Sequence, residues 1–114
     1  MSVVLEKIKL AGCKKFQFEE YDEGVAIVTN LDGVFVFVQY IENEDCFVVF
    51  DGGYTTTECL DSFGDSDEIV EKMKKALTKY KVNKVDESLY MEANYQTLEK
   101  TIEILVATEK EILY

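Results

Sequence analysis

The chain has 114 residues, 47% of them hydrophobic, and a formal net charge of −11 at pH 7. This length and composition predict one globular domain over residues 1–114 and exclude a disordered tail. Histidine and arginine are both absent. The chain therefore lacks the usual general base and the planar guanidinium group that best recognises phosphate or guanine.

The charges are unevenly distributed along the chain. Between Phe16 and Glu71 there are 15 acidic residues and no lysine, whereas the remaining residues hold 12 lysines and 8 acids, a net charge of +4. We therefore expect an acidic sheet region and a more basic helical region. Because nucleic acids are polyanions, this distribution also argues against direct nucleic-acid binding.

The N-terminal residues MSVVLEKIKL carry glutamate and lysine through their apolar part, unlike a signal peptide. No apolar run approaches the length of about 20 residues that spans a bilayer. We expect a cytoplasmic protein with no membrane partner.

The first half of the chain changes from a helical to a strand pattern. Residues 3–11 suit a short N-terminal helix with Ser2 as N-cap and Gly12 as its end. From Lys14 apolar residues alternate, which predicts a meander of four antiparallel strands over about 14–51. Asp32-Gly33 predicts a tight two-residue reversal. The third strand, VFVFVQYI, is apolar at nearly every position, so both of its faces are covered or one is reserved for a partner.

The sheet is predicted to end at the segment Asp51-Gly52-Gly53. Thr55 and Glu58 have the spacing of a capping box, which predicts a helix over about 56–63. A ligand-binding turn is the alternative function for the same segment, but capping already accounts for its residue types.

Two longer helices are predicted in the second half, and together with the meander they give an α+β fold. One covers about 66–80, with Asp65 and Glu68 repeating the capping pattern, and the other covers about 95–113, with Asn94 as its cap. Between them we expect an irregular crossing and a short strand around 89–92. The apolar set of the last helix is wide, which favours packing on the body or across a homodimer.

The segments FVVFDGGYTTTECLDSFG and DEIVEKMKKALTKYKV resemble a small uncharacterised prokaryotic and prophage family, a domain of unknown function. The resemblance covers roughly residues 20–113. It implies the same strand–turn–helix order and a setting in a bacterial host cytoplasm, and it supplies no activity. The positions that carry it are Asp51, Gly52, Gly53, Thr56, Leu60 and Gly64.

The three cysteines, Cys13, Cys46 and Cys59, have no CxxC spacing. A zinc site would need a fourth ligand in a chain without histidine, so we predict no metal and no cofactor. Three cysteines plus an aspartate remain the alternative for a metal site.

A metal-dependent enzyme or nuclease-related domain is the enzymatic alternative. Its site would use Asp51 and Glu58, with Asp32 nearby. No acid–x–lysine triplet falls on a predicted strand, and the acidic half has no lysine to hold a phosphate backbone. We therefore predict no catalytic residues.

The sequence favours a protein-binding function. Carboxylates without internal counter-charge can occupy the basic channel of another protein. We predict an inhibitor, anti-CRISPR-like or a DNA mimic, of a host defence protein that handles nucleic acid and has a basic surface. A structural homodimer joined through the last helix is a further alternative. The predicted partner-binding residues are Asp22, Glu23, Glu42, Glu44, Asp45, Asp61 and Asp65.

Overall fold

A computed structural model describes residues 3–21, 24–31 and 33–114. Within these residues the chain forms four helices and one six-stranded antiparallel sheet. The helices are α1 (Val3–Leu10), α2 (Tyr54–Phe63), α3 (Asp67–Tyr80) and α4 (Leu98–Leu113). The strands are β1 (Gln17–Tyr21), β2 (Gly24–Val28), β3 (Phe37–Ile41), β4 (Cys46–Phe50), β5 (Asn83–Val85) and β6 (Ser88–Ala93).

The strands lie in the order β1-β2-β3-β4-β6-β5, so the apolar β3 and β4 are central. Successive side chains of a strand point to opposite faces of the sheet. The buried core contains residues of all four helices but sheet residues of one face only, so the fold has two layers with the helices on one side. These buried sheet residues are Val25, Ile27, Val38, Phe47, Val49, Leu89 and Ala93.

The predicted α+β class and the meander of β1–β4 are confirmed, within a larger sheet of six strands. The N-terminal helix is also present, with Val4 and Ile8 buried and Gly12 following it at a φ of 75°. Ser2, its predicted cap, lies outside the described residues. The strand expected around 89–92 is β6, whereas β5 was missed because its three residues are all exposed and show no alternation.

The connection between β2 and β3 is longer than the predicted two-residue turn. Its Asp32 lies outside the described residues, but β2 ends at Val28 and β3 begins only at Phe37. The regular strands therefore stop short of the reversal, but Val34 N donates to Leu31 O (3.3 Å) and Gly33 has a φ of 78°, so a tight turn between Leu31 and Val34 agrees with the predicted reversal. Ile27 N also donates to Val36 O (2.9 Å), which continues the pairing of β2 with the segment before Phe37.

The helix caps also differ from the predictions. α2 begins at Tyr54, and Glu58 accepts a hydrogen bond from the Ser62 hydroxyl (3.4 Å) instead of capping the helix. α3 is capped by Ser66, whose hydroxyl accepts from Ile69 N. The Asn94 carboxamide accepts from Gln96 N and Thr97 N (2.9 Å each), so it orders the turn that precedes α4.

The apolar residues of α4 are buried within the chain, against the sheet and the other helices. A homodimer joined through α4 stays a prediction, but the wide apolar side of α4 no longer argues for it because it is already buried. None of the helices in the described part of the chain is long and apolar enough to cross a bilayer.

Candidate protein-binding face

The face of the sheet opposite the helical layer also carries apolar side chains; at one end Tyr54 of α2 packs on Phe37, which is 8% exposed. We call this face the open face. The strand register places Ala26, Phe37, Phe50 and Tyr90 in one row across β2, β3, β4 and β6. Ala26, Phe50 and Tyr90 are only half-buried. An apolar sheet face of this kind is where a protein partner is expected to pack.

An aromatic cluster lies at one end of the open face, where β4 leads into α2. Phe37 is its centre, with ring centroids 5.1 Å from Tyr21, 5.6 Å from Phe50 and 6.1 Å from Tyr54. Tyr54 also packs against Phe35, with centroids 4.6 Å apart. Tyr21, Phe35 and Tyr54 are exposed, at 52%, 43% and 44%. Exposed aromatic groups are typical of protein interfaces.

The cluster borders a cleft of about 300 Å³. Its walls are the rings of Tyr21, Phe37, Phe50 and Tyr54, and Gln39 contributes a polar group. Gly24 forms part of the floor, and a Cβ atom there would lie 2.6 Å from the Val38 carbonyl oxygen. The sequence therefore needs glycine at this position to keep β2 against β3.

Two further depressions adjoin the cleft, one on each side. The first shares Tyr21, Phe37 and Tyr54 with it and is also lined by Glu19. The second shares Phe50 with it and is also lined by three charged or polar groups, Asp86, Glu87 and Ser88. We call the three depressions together the transverse groove, since they cross the open face from β1 to β5. Among the described residues that line it, none is a lysine.

Asp51 links the end of β4 to α2 and β6. Its side chain is fully buried and accepts hydrogen bonds from Gly53 N (2.9 Å), Thr55 N (3.1 Å) and Leu89 N (2.8 Å). The carboxylate thus caps α2 and ties it to β6. The predicted Thr55–Glu58 capping box is wrong because Asp51, which precedes the helix, satisfies the free amide of Thr55. The strand-to-helix connection predicted for residues 51–53 is confirmed.

Glu109 of α4 is a second buried carboxyl group, and the sequence interpretation missed it. Its Oε1 accepts from the Thr55 hydroxyl (2.7 Å) and from Phe35 N (3.0 Å), while Oε2 has no hydrogen-bond partner among the described residues. Burial, with a smaller contribution from the nearby Asp51, raises the pKa of Glu109 to about 8. The group is therefore protonated at neutral pH.

The hydrogen bonds of Glu109 position two parts of the aromatic cluster. One holds the backbone of Phe35, and the other holds Thr55, the residue after Tyr54. The spacing of Glu109 in the sequence could have indicated its burial. It follows Ile102 by seven residues and Leu105 by four, which places it on the apolar side of α4.

The predicted partner-binding acids lie on several elements. Glu42 and Glu44 are exposed in the turn between β3 and β4, at the end of the sheet opposite Asp51. Asp61 and Asp65 are exposed on and just after α2, in the helical layer. Asp22 and Glu23 lie outside the described residues. The structure therefore places the described acids of this set in both layers.

Asp45 belongs to the same turn but has a structural role. Its carboxylate accepts hydrogen bonds from the hydroxyl groups of Tyr40 and Tyr95 (2.7 Å for Tyr95). These two bonds lower the pKa of Asp45. The other two predicted acids of this turn are exposed to a partner, and of these Glu44 Oε2 also accepts a hydrogen bond from the Cys46 thiol (3.5 Å).

The cysteines are apart and unpaired. Cys59 is buried, Cys13 and Cys46 are half-buried, and burial raises the pKa of the Cys13 thiol to about 11. A thiol with a raised pKa is a poor nucleophile and a poor metal ligand at neutral pH. Within residues 3–21, 24–31 and 33–114, no three Cys, Asp or Glu side chains are grouped so that they could hold a metal ion.

Comparison with known proteins finds no match to the chain among protein-family models, curated proteins or solved structures. The resemblance to a prophage-type family stays a prediction.

Proposed function

We propose that this chain is a non-catalytic protein-binding module that contacts its partner through the open face. The observation that carries this proposal is the aromatic cluster of Tyr21, Phe35, Phe37, Phe50 and Tyr54. Residues of this kind supply most of the binding energy in protein interfaces because they bury a large apolar area with little loss of conformational freedom.

The charge of the chain specifies a basic partner. The net charge is −11, and the charged residues within β1–β4 are two glutamates of β1, Glu19 and Glu20, with no lysine. Two copies that met through their open faces would bring like charges together, whereas a positively charged surface would be attracted and steered towards this face.

The specific form of the proposal is an inhibitor that occupies the basic channel of a nucleic-acid-handling host protein. Such a channel is lined by lysine and arginine, the residues that normally neutralise phosphates. Glu42 and Glu44 are both exposed, so they provide a second set of carboxylates at the far end of the sheet. An anti-CRISPR-like role is one example of this class.

The enzymatic alternative has less support from the geometry. It requires Asp51 to present its carboxylate to a metal or substrate. Both oxygens of this buried group already accept backbone hydrogen bonds, and Glu58 is exposed and bonded to Ser62. No observation on the described residues favours a catalytic site over a binding face.

The proposal is tested by capture from a bacterial lysate with the immobilised protein at about 50 mM and 500 mM salt. Val48→Lys places a cation in the centre of the open face, and Leu10→Lys makes the same change on α1, where Leu10 is 72% exposed. We expect Val48→Lys to lose the captured protein and Leu10→Lys to retain it. We also expect high salt to weaken capture, because exposed charges are screened.

A partner retained equally by both variants would show that the open face is not the contact. If a protein were still captured at high salt and after charge reversal at Glu42 and Glu44, the proposal that the partner has a basic surface would be contradicted. Metal analysis of the purified protein and a nuclease assay in magnesium or manganese test the enzymatic alternative. Bound metal or cleavage of nucleic acid would favour that alternative over a protein-binding module.

A further inference from the structure

We infer that the transverse groove binds an extended basic segment of the partner protein, with one large apolar side chain seated in the central cleft. This inference rests on the proposed protein-binding function and names the ligand of the same face. It follows from the dimensions of the groove, the order of its charges and the poorer fit of other occupants.

The groove has the length of a short extended peptide. It crosses all six strands, from Glu19 on β1 to Val85 on β5. Neighbouring strands lie about 4.8 Å apart, so five spacings give about 24 Å. An extended chain rises about 3.3 Å per residue. The groove therefore accommodates about seven residues.

The two ends of the groove are acidic and its centre is apolar. Glu19 lies in the depression at one end, and Asp86 and Glu87 lie in the depression at the other. The central cleft between them has aromatic walls and no charged side chain. This order is complementary to a segment with basic residues at both ends and a large apolar residue in the middle. The negative faces of the rings also favour cationic neighbours.

The charges of the groove favour a basic segment over other classes of occupant. A nucleic-acid strand is repelled by the acids at both ends. A second copy of this chain that docked through the same groove would place acidic depressions against acidic depressions, and each copy carries a net charge of −11. An uncharged apolar segment would fill the cleft but leave both ends unpaired. A basic segment is the occupant that satisfies all three depressions.

The test measures the fluorescence anisotropy of a labelled nine-residue peptide with two basic residues at each end and a phenylalanine in the middle. One control peptide replaces the four basic residues with glutamate, and another replaces the phenylalanine with glycine. We expect the first control peptide not to bind. We expect the second to bind about tenfold more weakly, the loss typical of a removed interface anchor.

Two pairs of matched protein variants locate the bound peptide. Glu19 and Glu20 are adjacent on β1 but point to opposite faces, and only Glu19 lines the groove. Tyr54 and Phe63 are both on α2 with similar exposure, 44% and 48%, and only Tyr54 lines the groove. We expect Glu19→Lys and Tyr54→Ala each to weaken the peptide about tenfold, and Glu20→Lys and Phe63→Ala to change affinity less than twofold.

The outcomes distinguish this inference from the proposed function. The groove inference would be overturned if the acidic peptide bound as tightly as the basic peptide. It would also be overturned if Glu19→Lys and Glu20→Lys lowered the affinity for the basic peptide equally. A dimer in sedimentation that Glu19→Lys dissociates would identify a second copy as the occupant and also overturn it. If Val48→Lys still loses the captured partner while the basic peptide fails to bind, the proposed function stands and the groove inference fails. If the Tyr54→Ala variant does not fold, the peptide affinities of Glu19→Lys and Glu20→Lys are sufficient to test the inference.

Discussion

The two faces of the sheet differ in what covers their apolar side chains, and β4 shows the difference within one strand. Phe47 and Val49 point towards the helices and are completely buried, whereas Val48 and Phe50 point the other way and remain half-buried. Both pairs are apolar, so hydrophobicity alone does not separate them. The covered face stabilises the fold, and the open face is available for a partner.

The largest effect is expected from a substitution that tests this difference directly. Val49→Asp buries an unpaired carboxylate in the core and should lower the free energy of unfolding by about 4 kcal/mol or more. Val48→Asp is the control on the next residue of the same strand, and should change it by less than about 1 kcal/mol. Urea denaturation followed by circular dichroism measures both. Similar losses from the two variants would mean that the open face is also part of the core.

Asp51 lies where the two faces meet, and its loss is the next largest effect. Asp51→Ala leaves three buried backbone N–H groups without an acceptor and should cost about 3 kcal/mol. Asp61→Ala, an exposed aspartate on α2, should change stability by less than about 0.5 kcal/mol. Thermal denaturation compares them, and a stable Asp51→Ala variant would show that these three bonds contribute little.

Glu109 should make the stability of the chain depend on pH, and replacing it with a neutral side chain should remove that dependence. Its pKa is raised from the ordinary 4.5 to about 8 in the folded state, so between these values the folded state holds a proton that the unfolded state has lost. Stability therefore falls as pH rises through this window, by at most about 1.4 kcal/mol per pH unit. Glutamine keeps an oxygen acceptor for Phe35 N and Thr55 and cannot ionise.

We expect Glu109→Gln and the wild-type chain to be similarly stable at pH 5, and the variant to be more stable by about 2.5 kcal/mol at pH 7. Urea denaturation at the two pH values gives the difference. Parallel pH profiles for the two proteins would show that Glu109 is ionised throughout and that its pKa is not raised.

The parts of this fold that the sequence predicted depend on local patterns. The alternation of Phe47 and Val49 with their neighbours predicts a strand, and the spacing of Ile69, Met73 and Leu77 predicts α3, because each pattern repeats within a few residues. β5 is too short to show a pattern.

The buried acids depend on tertiary contacts that the sequence does not specify. Glu109 bonds to Phe35 N, 74 residues away, and Asp51 bonds to Leu89 N, 38 residues away. Thr55 and Glu58 have capping-box spacing, but the local pattern gave the wrong cap since Asp51 satisfies the same amide from outside the helix. The open face was anticipated by the apolar third strand, whereas the groove needed the sheet order to bring β1 and β5 to its two ends.

Asp45 provides the opposite sign of pH dependence and the smallest expected effect. Hydrogen bonds from the Tyr40 and Tyr95 hydroxyl groups lower its pKa below the ordinary 3.8 in the folded state. Its contribution to stability is therefore present above pH 3.8 and is lost as pH falls through the lowered pKa. Asp45→Asn should lower the melting temperature slightly at pH 7, and the difference from wild type should disappear in strong acid. If the difference persists there, the charge of Asp45 is not its cause; since asparagine tolerates the same φ of 50°, altered packing or hydrogen bonding of the side chain would be.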